Sequence, residues 1–371
     1  MHSKMEIKMK KSAQIWPSLL ALGLCLALPP LSHATGSEAE PGLSERVEKL
    51  EKSLGKGGMS RWLDRISLSG LIEVEANYEK FKESGTGSES ASDLTLATVE
   101  LGIDVDFVKH VSGHVVLLWE EDETEPLDVD EAYIRLDGED VVPLYLQAGK
   151  MYVPFGTFES HFISDPNTLE LGETRESAAV IGYANEQLEL SFGVFKGDTK
   201  GRHLNTFVAG GAYTLPEEAV PGLALTAGAS WISNLADSDV LSDEIVSLDD
   251  KINGIHAFVM ATLNDRWTLI AEYLGALDRF KAGELAFDGG NALKPKTWNF
   301  ELGCAVTDAL TIAAKYEGGD DLGELLPDRQ YGAVASYALF KNTTLSLEYL
   351  HGKFETGDKR DLVTAQLAFE F

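Results

Sequence analysis

The lengths of the connections constrain this chain most. From Ile66 onward, sixteen segments alternate apolar and polar residues or carry aromatic and β-branched runs. They fall at 66–79, 93–108, 111–120, 128–137, 143–155, 177–184, 187–196 and 205–215. The second half of the chain supplies 222–233, 254–264, 267–278, 297–306, 309–317, 330–340, 343–353 and 362–371. Short links at Lys109-His110, Asp137 to Val142, Asn185-Glu186, Pro216 to Pro221, Asp265-Arg266, Thr307-Asp308 and Lys341-Asn342 separate every second pair. Between them lie longer stretches at 80–92, 121–127, 156–176, 197–204, 234–253, 279–296, 318–329 and 354–361. Seven short turns and eight longer loops fit a sixteen-stranded up-and-down barrel with both strand termini on the short-turn side. Transmembrane barrels sort their connections this way, and a soluble sandwich has no reason to.

Strand length and pattern agree. Many segments are near the 9–11 residues that a tilted membrane strand needs. In the first, Leu68, Ile72, Val74, Ala76 and Tyr78 alternate with Ser69, Glu73, Glu75 and Asn77. Val99 to Phe107 alternates with Glu100, Asp104 and Asp106, and Ala132 to Leu136 with Glu131, Tyr133 and Arg135. The last segment puts Val363, Ala365, Leu367, Phe369 and Phe371 at alternate positions and stops on the aromatic. Closing it on the first strand removes every sheet edge, as lipid requires. Aromatics such as Tyr78, Trp119, Trp231, Trp267, Tyr316 and Tyr349 fall near strand ends, where interfacial girdles form. The expected fold is an all-β, antiparallel transmembrane barrel of about sixteen strands spanning 62–371.

Residues 1–34 read as a signal peptide: Lys4, Lys8, Lys10 and Lys11 precede the apolar run Leu19–Leu28, and Ser32-His33-Ala34 offers a cleavage site. Residues 35–61 read as a short periplasmic heptad helix with its linker, because Leu43, Val47, Leu50 and Leu54 make an a/d seam. Such a seam suits a homotrimer or packing on a neighbouring surface. Net charge is −29, and −32 once the basic leader is removed. So acidic a chain is a poor nucleic-acid partner and favours cations. Only Cys304 survives cleavage, which excludes an intramolecular disulfide. It shares parity with Trp298, Phe300 and Leu302, so it is expected to face lipid.

A barrel of this size leaves an aqueous channel unless something fills it. The long stretch 156–176 is the expected constriction, carrying Glu159, His161, Asp165, Glu170, Glu173, Arg175 and Glu176. Strand parity assigns Glu73, Glu75, Asn77, Glu100, Asp104, Asp106, Glu131, Tyr133 and Arg135 to the lumen. Acidic rings raise the local concentration of cations, although any water-filled barrel needs a solvated inner face. The strand 143–155 is apolar on both parities and leaves the direction of Lys150 open.

Acidic stretches Glu120-Glu121-Asp122-Glu123 and Asp237 to Asp250 lack the spacing of an EF-hand loop and read as solvated loops. His161 and His203 form no ligand pair, and no G-x-S-x-G element is present. No catalytic residue, metal centre or cofactor is expected.

The runs EAYIRL (131–136), GKMYVPFGTFESHFISDP (149–166) and LELGETRE (169–176) resemble the LbtU-type siderophore porins. The resemblance implies a sixteen-stranded barrel without a plug domain and passage of an iron-chelating solute. It supplies no ligand residues. The functional expectation is an outer-membrane porin of a Gram-negative cell, passive towards small hydrophilic solutes including ferric siderophores. Its surroundings would be membrane lipid and lipopolysaccharide. The alternatives are a general cation-preferring porin, a surface adhesin or receptor anchored by its barrel, and a barrel enzyme.

Overall fold

In the computed structural model the last strand closes on the first. Gly70 and Phe371 exchange backbone hydrogen bonds of 3.0 Å in both directions. The described residues are 64–371 apart from 122, 123, 125, 139, 140 and 201, so the expected signal peptide and heptad helix lie outside them. The chain order is β1 (Ile66–Glu83), β2 (Gly87–Val108), β3 (Val111–Trp119), β4 (Asp128–Asp137), β5 (Leu144–Tyr152) and β6 (Arg175–Ala184). Next come β7 (Leu188–Phe195), β8 (Thr206–Thr214), β9 (Leu223–Ile232), β10 (Gly254–Leu263) and β11 (Trp267–Ala276). The wall ends with β12 (Lys296–Ala305), β13 (Leu310–Asp320), β14 (Arg329–Phe340), β15 (Thr343–Lys353) and β16 (Lys359–Glu370). Each strand pairs with its sequence neighbours, and β1 with β16, in one closed antiparallel barrel.

Solvation runs opposite to that of a water-soluble sandwich. The outer parity is apolar and exposed, with Leu68 at 59%, Ile134 at 55% and Leu347 at 56%. The inner parity buries Glu301, Lys315, Glu317 and Glu348 almost completely. A continuous apolar exterior of this size needs a non-aqueous cover. Among the described residues no helix is long and apolar enough to cross a membrane.

Several expectations need correction. The stretch 80–92 is no loop: β1 and β2 continue as a paired hairpin to Glu83 and Gly87. Arg175 and Glu176 open β6 and are wall residues rather than loop residues. Cys304, by contrast, keeps the expected outward parity of Phe300 and Leu302, and its larger cross-strand neighbours Trp267 and Ile312 leave it 9% exposed. Residues 237–250 are not a solvated loop. A 3₁₀ turn at Leu235–Asp237 and a short helix (Asp239–Glu244) fold there, and Leu235, Ala236 and Leu241 are fully buried.

That burial belongs to an apolar body inside one side of the barrel. Val180, Val208, Ile232 and Leu274 join it from β6, β8, β9 and β11. Phe155 and Leu171 come from the connection after β5, and Leu235, Leu241, Phe280, Leu285 and Leu322 from the other long connections. Backbone bonds Val246 N to Glu284 O (2.9 Å) and Ala286 N to Glu244 O (2.9 Å) tie two of those connections together. This explains why 143–155 is apolar on both parities: Met151 and Val153 face the inner body. Lys150 turns to the end of β4, donating to Val129 O (2.6 Å) and Asp128 (3.2 Å).

Candidate functional site: a loop across the lumen

After Tyr152 the chain leaves the wall and returns only at Arg175. Pro154, with no amide proton, cannot continue the ladder. Gly156 adopts φ +101, a backbone region that L side chains rarely enter. The segment then crosses the interior and meets the wall opposite β5. Gly156 N donates to Ser230 Oγ on β9 (3.2 Å). Phe158 N and Thr168 Oγ1 donate to the two oxygens of Glu272 on β11 (both 2.7 Å). Ser160 Oγ (2.7 Å) and His161 N (2.8 Å) donate to Glu301 on β12. Ile163 N (2.7 Å), Ser164 N (3.1 Å) and Ser164 Oγ (2.5 Å) donate to Glu348 on β15. Asn167 N donates to Glu317 on β13 (2.8 Å) and opens helix α1 (Asn167–Gly172).

Four wall carboxylates therefore supply the acceptors that a crossing backbone would otherwise find in water. Lys315 balances part of their charge, 3.5 Å from Glu301 and 3.6 Å from Glu317. It lies over the Phe162 ring at 4.6 Å. His256 fills the adjacent corner, near Glu272 (3.4 Å) and in edge contact with Phe155 and Phe158.

The loop residues expected from sequence divide accordingly. His161 contacts Glu301, its Nδ1 lying 3.2 Å from Oε2. Glu159 is half-buried beside Glu272, and burial, then that like charge, raises its carboxyl above the usual range. Asp165, Glu170 and Glu173 gather at the far end of the loop. Burial first, and then Asp165, Asp239, Glu170 and Asp130, push Glu173 well above its ordinary value. Arg175 makes a short ion pair with Asp130, to which Tyr152 also donates (3.1 Å). Glu176 stands opposite Met151 in β6, beside Asp198, Asp237 and Asp239.

Helix α2 (Asp239–Glu244) caps the root of this loop. Ser238 Oγ donates to Leu171 O (3.0 Å), Asp239 N to Glu173 O (2.8 Å), and Arg175 N to Asp239 (3.1 Å). Burial raises the Asp239 carboxyl to about 6 although Arg175 pulls the other way.

The lumen residues expected on β1, β2 and β4 have the inward parity. Glu73 is buried, Glu75 accepts from Gln366 Nε2 (3.1 Å), and Asn77, Glu100 and Glu131 are half-buried. Asp104 binds His114 Nδ1 (2.7 Å), whose ring lies 5.0 Å from that of Tyr133. Asp106 is exposed. Arg135 pairs with Asp137 (2.9 Å) and lies 4.1 Å over the Tyr145 ring. The loop is held instead by Glu272, Glu301, Glu317 and Glu348 on β11, β12, β13 and β15, and of these Glu348 shares a register row with Asn77 through Thr364. Sequence reasoning missed those four, together with Lys315 and His114. Glu301, Glu317 and Glu348 sit at polar parity in alternating strands, a signal that was available, whereas Glu272 shares its face with Ile270 and Leu274 and had none.

No family model matches the chain. It is 25% identical over 318 residues to a UPF0422 protein of Legionella pneumophila strain Philadelphia 1, covering 77% of this chain and 58% of that protein. It is 26% identical over 310 residues to a UPF0422 protein of Coxiella burnetii, covering 78% and 64%. The chain thus spans less than two thirds of the length of these relatives. Among solved structures it resembles the outer membrane channel DcaP of Acinetobacter baumannii, with TM-score 0.56, 16% identity, and 82% and 97% of the two chains covered. Salmonella typhi OmpF in complex with daunomycin gives TM-score 0.56 at 12% identity, over 82% and 97%. Pseudomonas aeruginosa OpdQ gives 0.52 at 13%, over 82% and 98%. At these identities the likeness is one of fold, and that fold is the closed sixteen-stranded antiparallel barrel.

Proposed function

We propose that the chain is a passive outer-membrane porin of a Gram-negative cell that passes small hydrophilic solutes and prefers cations. The observation that carries this reading is the crossing segment 153–174, bound to wall carboxylates on the far side of the lumen. A segment so held narrows the passage without plugging it with a separate domain. The solute path then runs between this loop and the β1–β4 wall. Acidic groups line both sides: Asp165 and Glu170 on the loop, Glu75, Glu100 and Glu131 on the wall. The nearby cations are already engaged, Lys315 by Glu301 and Glu317, Arg175 by Asp130, Arg135 by Asp137 and Lys150 by Asp128. A negative lumen concentrates cations and repels anions.

Similarity to DcaP, described as an outer membrane channel, supports the same location and a non-enzymatic role. A homotrimer within lipid and lipopolysaccharide is the assembly we assign. An iron chelate, as the resemblance to siderophore porins implies, fits this lumen when neutral or cationic, whereas like charge opposes a polyanionic carboxylate chelate. The test is the reversal potential of the purified protein in a planar bilayer under a KCl gradient. Ohmic, cation-selective conductance is expected. A folded barrel that stays silent would overturn the channel and favour a surface-binding role for the long connections.

A further inference from the structure

Four cations stand side by side on the outside of this acidic protein. Arg329 on β14 is in register with Lys353 on β15, Lys353 with Lys359 on β16, and Lys359 with Lys82 on β1. All four are exposed and lie at the long-connection end of their strands. They share the outward parity of Tyr331, Tyr349, Val363 and Tyr78, which are also exposed. Neighbouring strands are about 4.8 Å apart, so the row spans about 14 Å. The next row inward is Tyr331, His351, Asp361 and Lys80.

Like charges placed directly opposite one another across a ladder repel. Little nearby offsets this row. Arg329 reaches Asp328 only at 3.9 Å, and among the described residues Lys82, Lys353 and Lys359 form no ion pair. Asp361, the acid of the inner row, already accepts from Tyr349 Oη (2.8 Å) and binds His351 Nδ1 (2.7 Å). A line of cations above outward tyrosines, at the level where a membrane-embedded strand leaves the hydrocarbon, matches a lipid that carries phosphate on an apolar body.

We propose that Arg329, Lys353, Lys359 and Lys82 form a docking surface for the phosphates of lipid A, the phosphorylated anchor of lipopolysaccharide in the outer leaflet. The inference rests on the membrane placement above but not on conduction. The row would bridge more than one phosphate, and the tyrosines would pack on the sugar and the first acyl carbons.

The test compares full-length purified protein with a variant carrying Arg329→Gln, Lys353→Gln, Lys359→Gln and Lys82→Gln. Retained lipid is measured by native mass spectrometry after exchange against bis-phosphorylated lipid A or its dephosphorylated form. The wild type should retain the phosphorylated lipid at least about tenfold better, with a preference that falls as salt rises. The quadruple variant should lose this preference, and Lys→Arg at the three lysines should keep it. Equal retention of the two lipids by the wild type, or unchanged retention by the quadruple variant, would overturn the proposal. Displacement by inorganic phosphate at equal phosphate concentration would also overturn it, leaving only a phosphate site. Folding is checked by heat-modifiable migration, and Lys353→Gln with Lys359→Gln serves if the quadruple variant fails to assemble. Conductance, recorded separately, should not change in either variant, so a failed channel reading and a failed lipid site give different results.

Discussion

Ser164 and Glu348 are 184 residues apart in sequence, yet the Ser164 amide and hydroxyl both donate to the one Glu348 carboxylate, at 3.1 and 2.5 Å. The Ile163 amide donates to it as well. One wall side chain thus anchors the middle of the segment, where Lys315 Nζ also donates to Ser164 O at 3.5 Å.

Replacing Glu348 with Ala should loosen the crossing segment. Each buried donor left without a partner costs about 1–3 kcal/mol, and Lys315 loses part of its counter-charge. We expect larger and noisier single-channel currents, and a much smaller change for Glu348→Gln, which keeps an acceptor. Quiet, wild-type currents from Glu348→Ala would show that the segment does not depend on this anchor.

Deleting Glu159 to Leu171 should raise single-channel conductance, because the segment occupies lumen cross-section. Deletion also uncovers Glu272, Glu301, Glu317 and Glu348, so cation preference should persist in the wider pore. Conductance equal to wild type in a folded barrel would remove the segment from the solute path.

Neutralising Glu100 and Glu131 together with Gln should move the reversal potential towards zero under a KCl gradient. The two carboxylates lie on the wall that the segment leaves open. An unchanged reversal potential would mean that selectivity resides elsewhere in the lumen.

Asp239 predicts a pH response. Its folded carboxyl titrates at about 6 against an ordinary 3.8, because burial outweighs Arg175. The folded state therefore holds the proton more tightly than the unfolded state. The resulting stabilisation is complete below about pH 3.8 and is lost as pH rises through about 6. Glu173, raised in the same direction, adds to it. Amide exchange in 238–245, corrected for intrinsic rate, should quicken across that window, and Asp239→Asn should flatten the profile. An identical profile in the variant would assign the response to other groups.

Removing Phe371 should impair assembly. Its backbone closes the barrel on Gly70, and its ring lies where a Gly70 side chain would stand. The yield of heat-modifiable barrel in the membrane fraction should fall. A normal yield would show that β16 closes without its last residue.

The wall was legible in the sequence because alternation and turn length are local properties. All sixteen strands follow from them, including Val363 to Phe369 as the closing strand. The distal half of the first hairpin was not, because Gly87 to Ser92 carries no apolar period to mark a strand. Parity could place Glu301 or Glu348 on the inner face. It could not tell whether such a carboxylate meets water or a loop amide, since that depends on where a segment some 140 to 185 residues away crosses. The inner cap was hidden for a related reason. Leu235 and Leu241 sit among acids in a stretch with no period, and only the three-dimensional neighbours Leu171 and Leu285 give them a core.

The two bonds from Ser238 and Asp239 to the backbone of the crossing segment have a mechanical consequence. They join the 233–253 connection to the root of the crossing segment, and α1 within that segment is bonded in turn through Asn167 N to Glu317 on β13. A load placed on the cap therefore has a continuous hydrogen-bonded route through the lumen to the far wall.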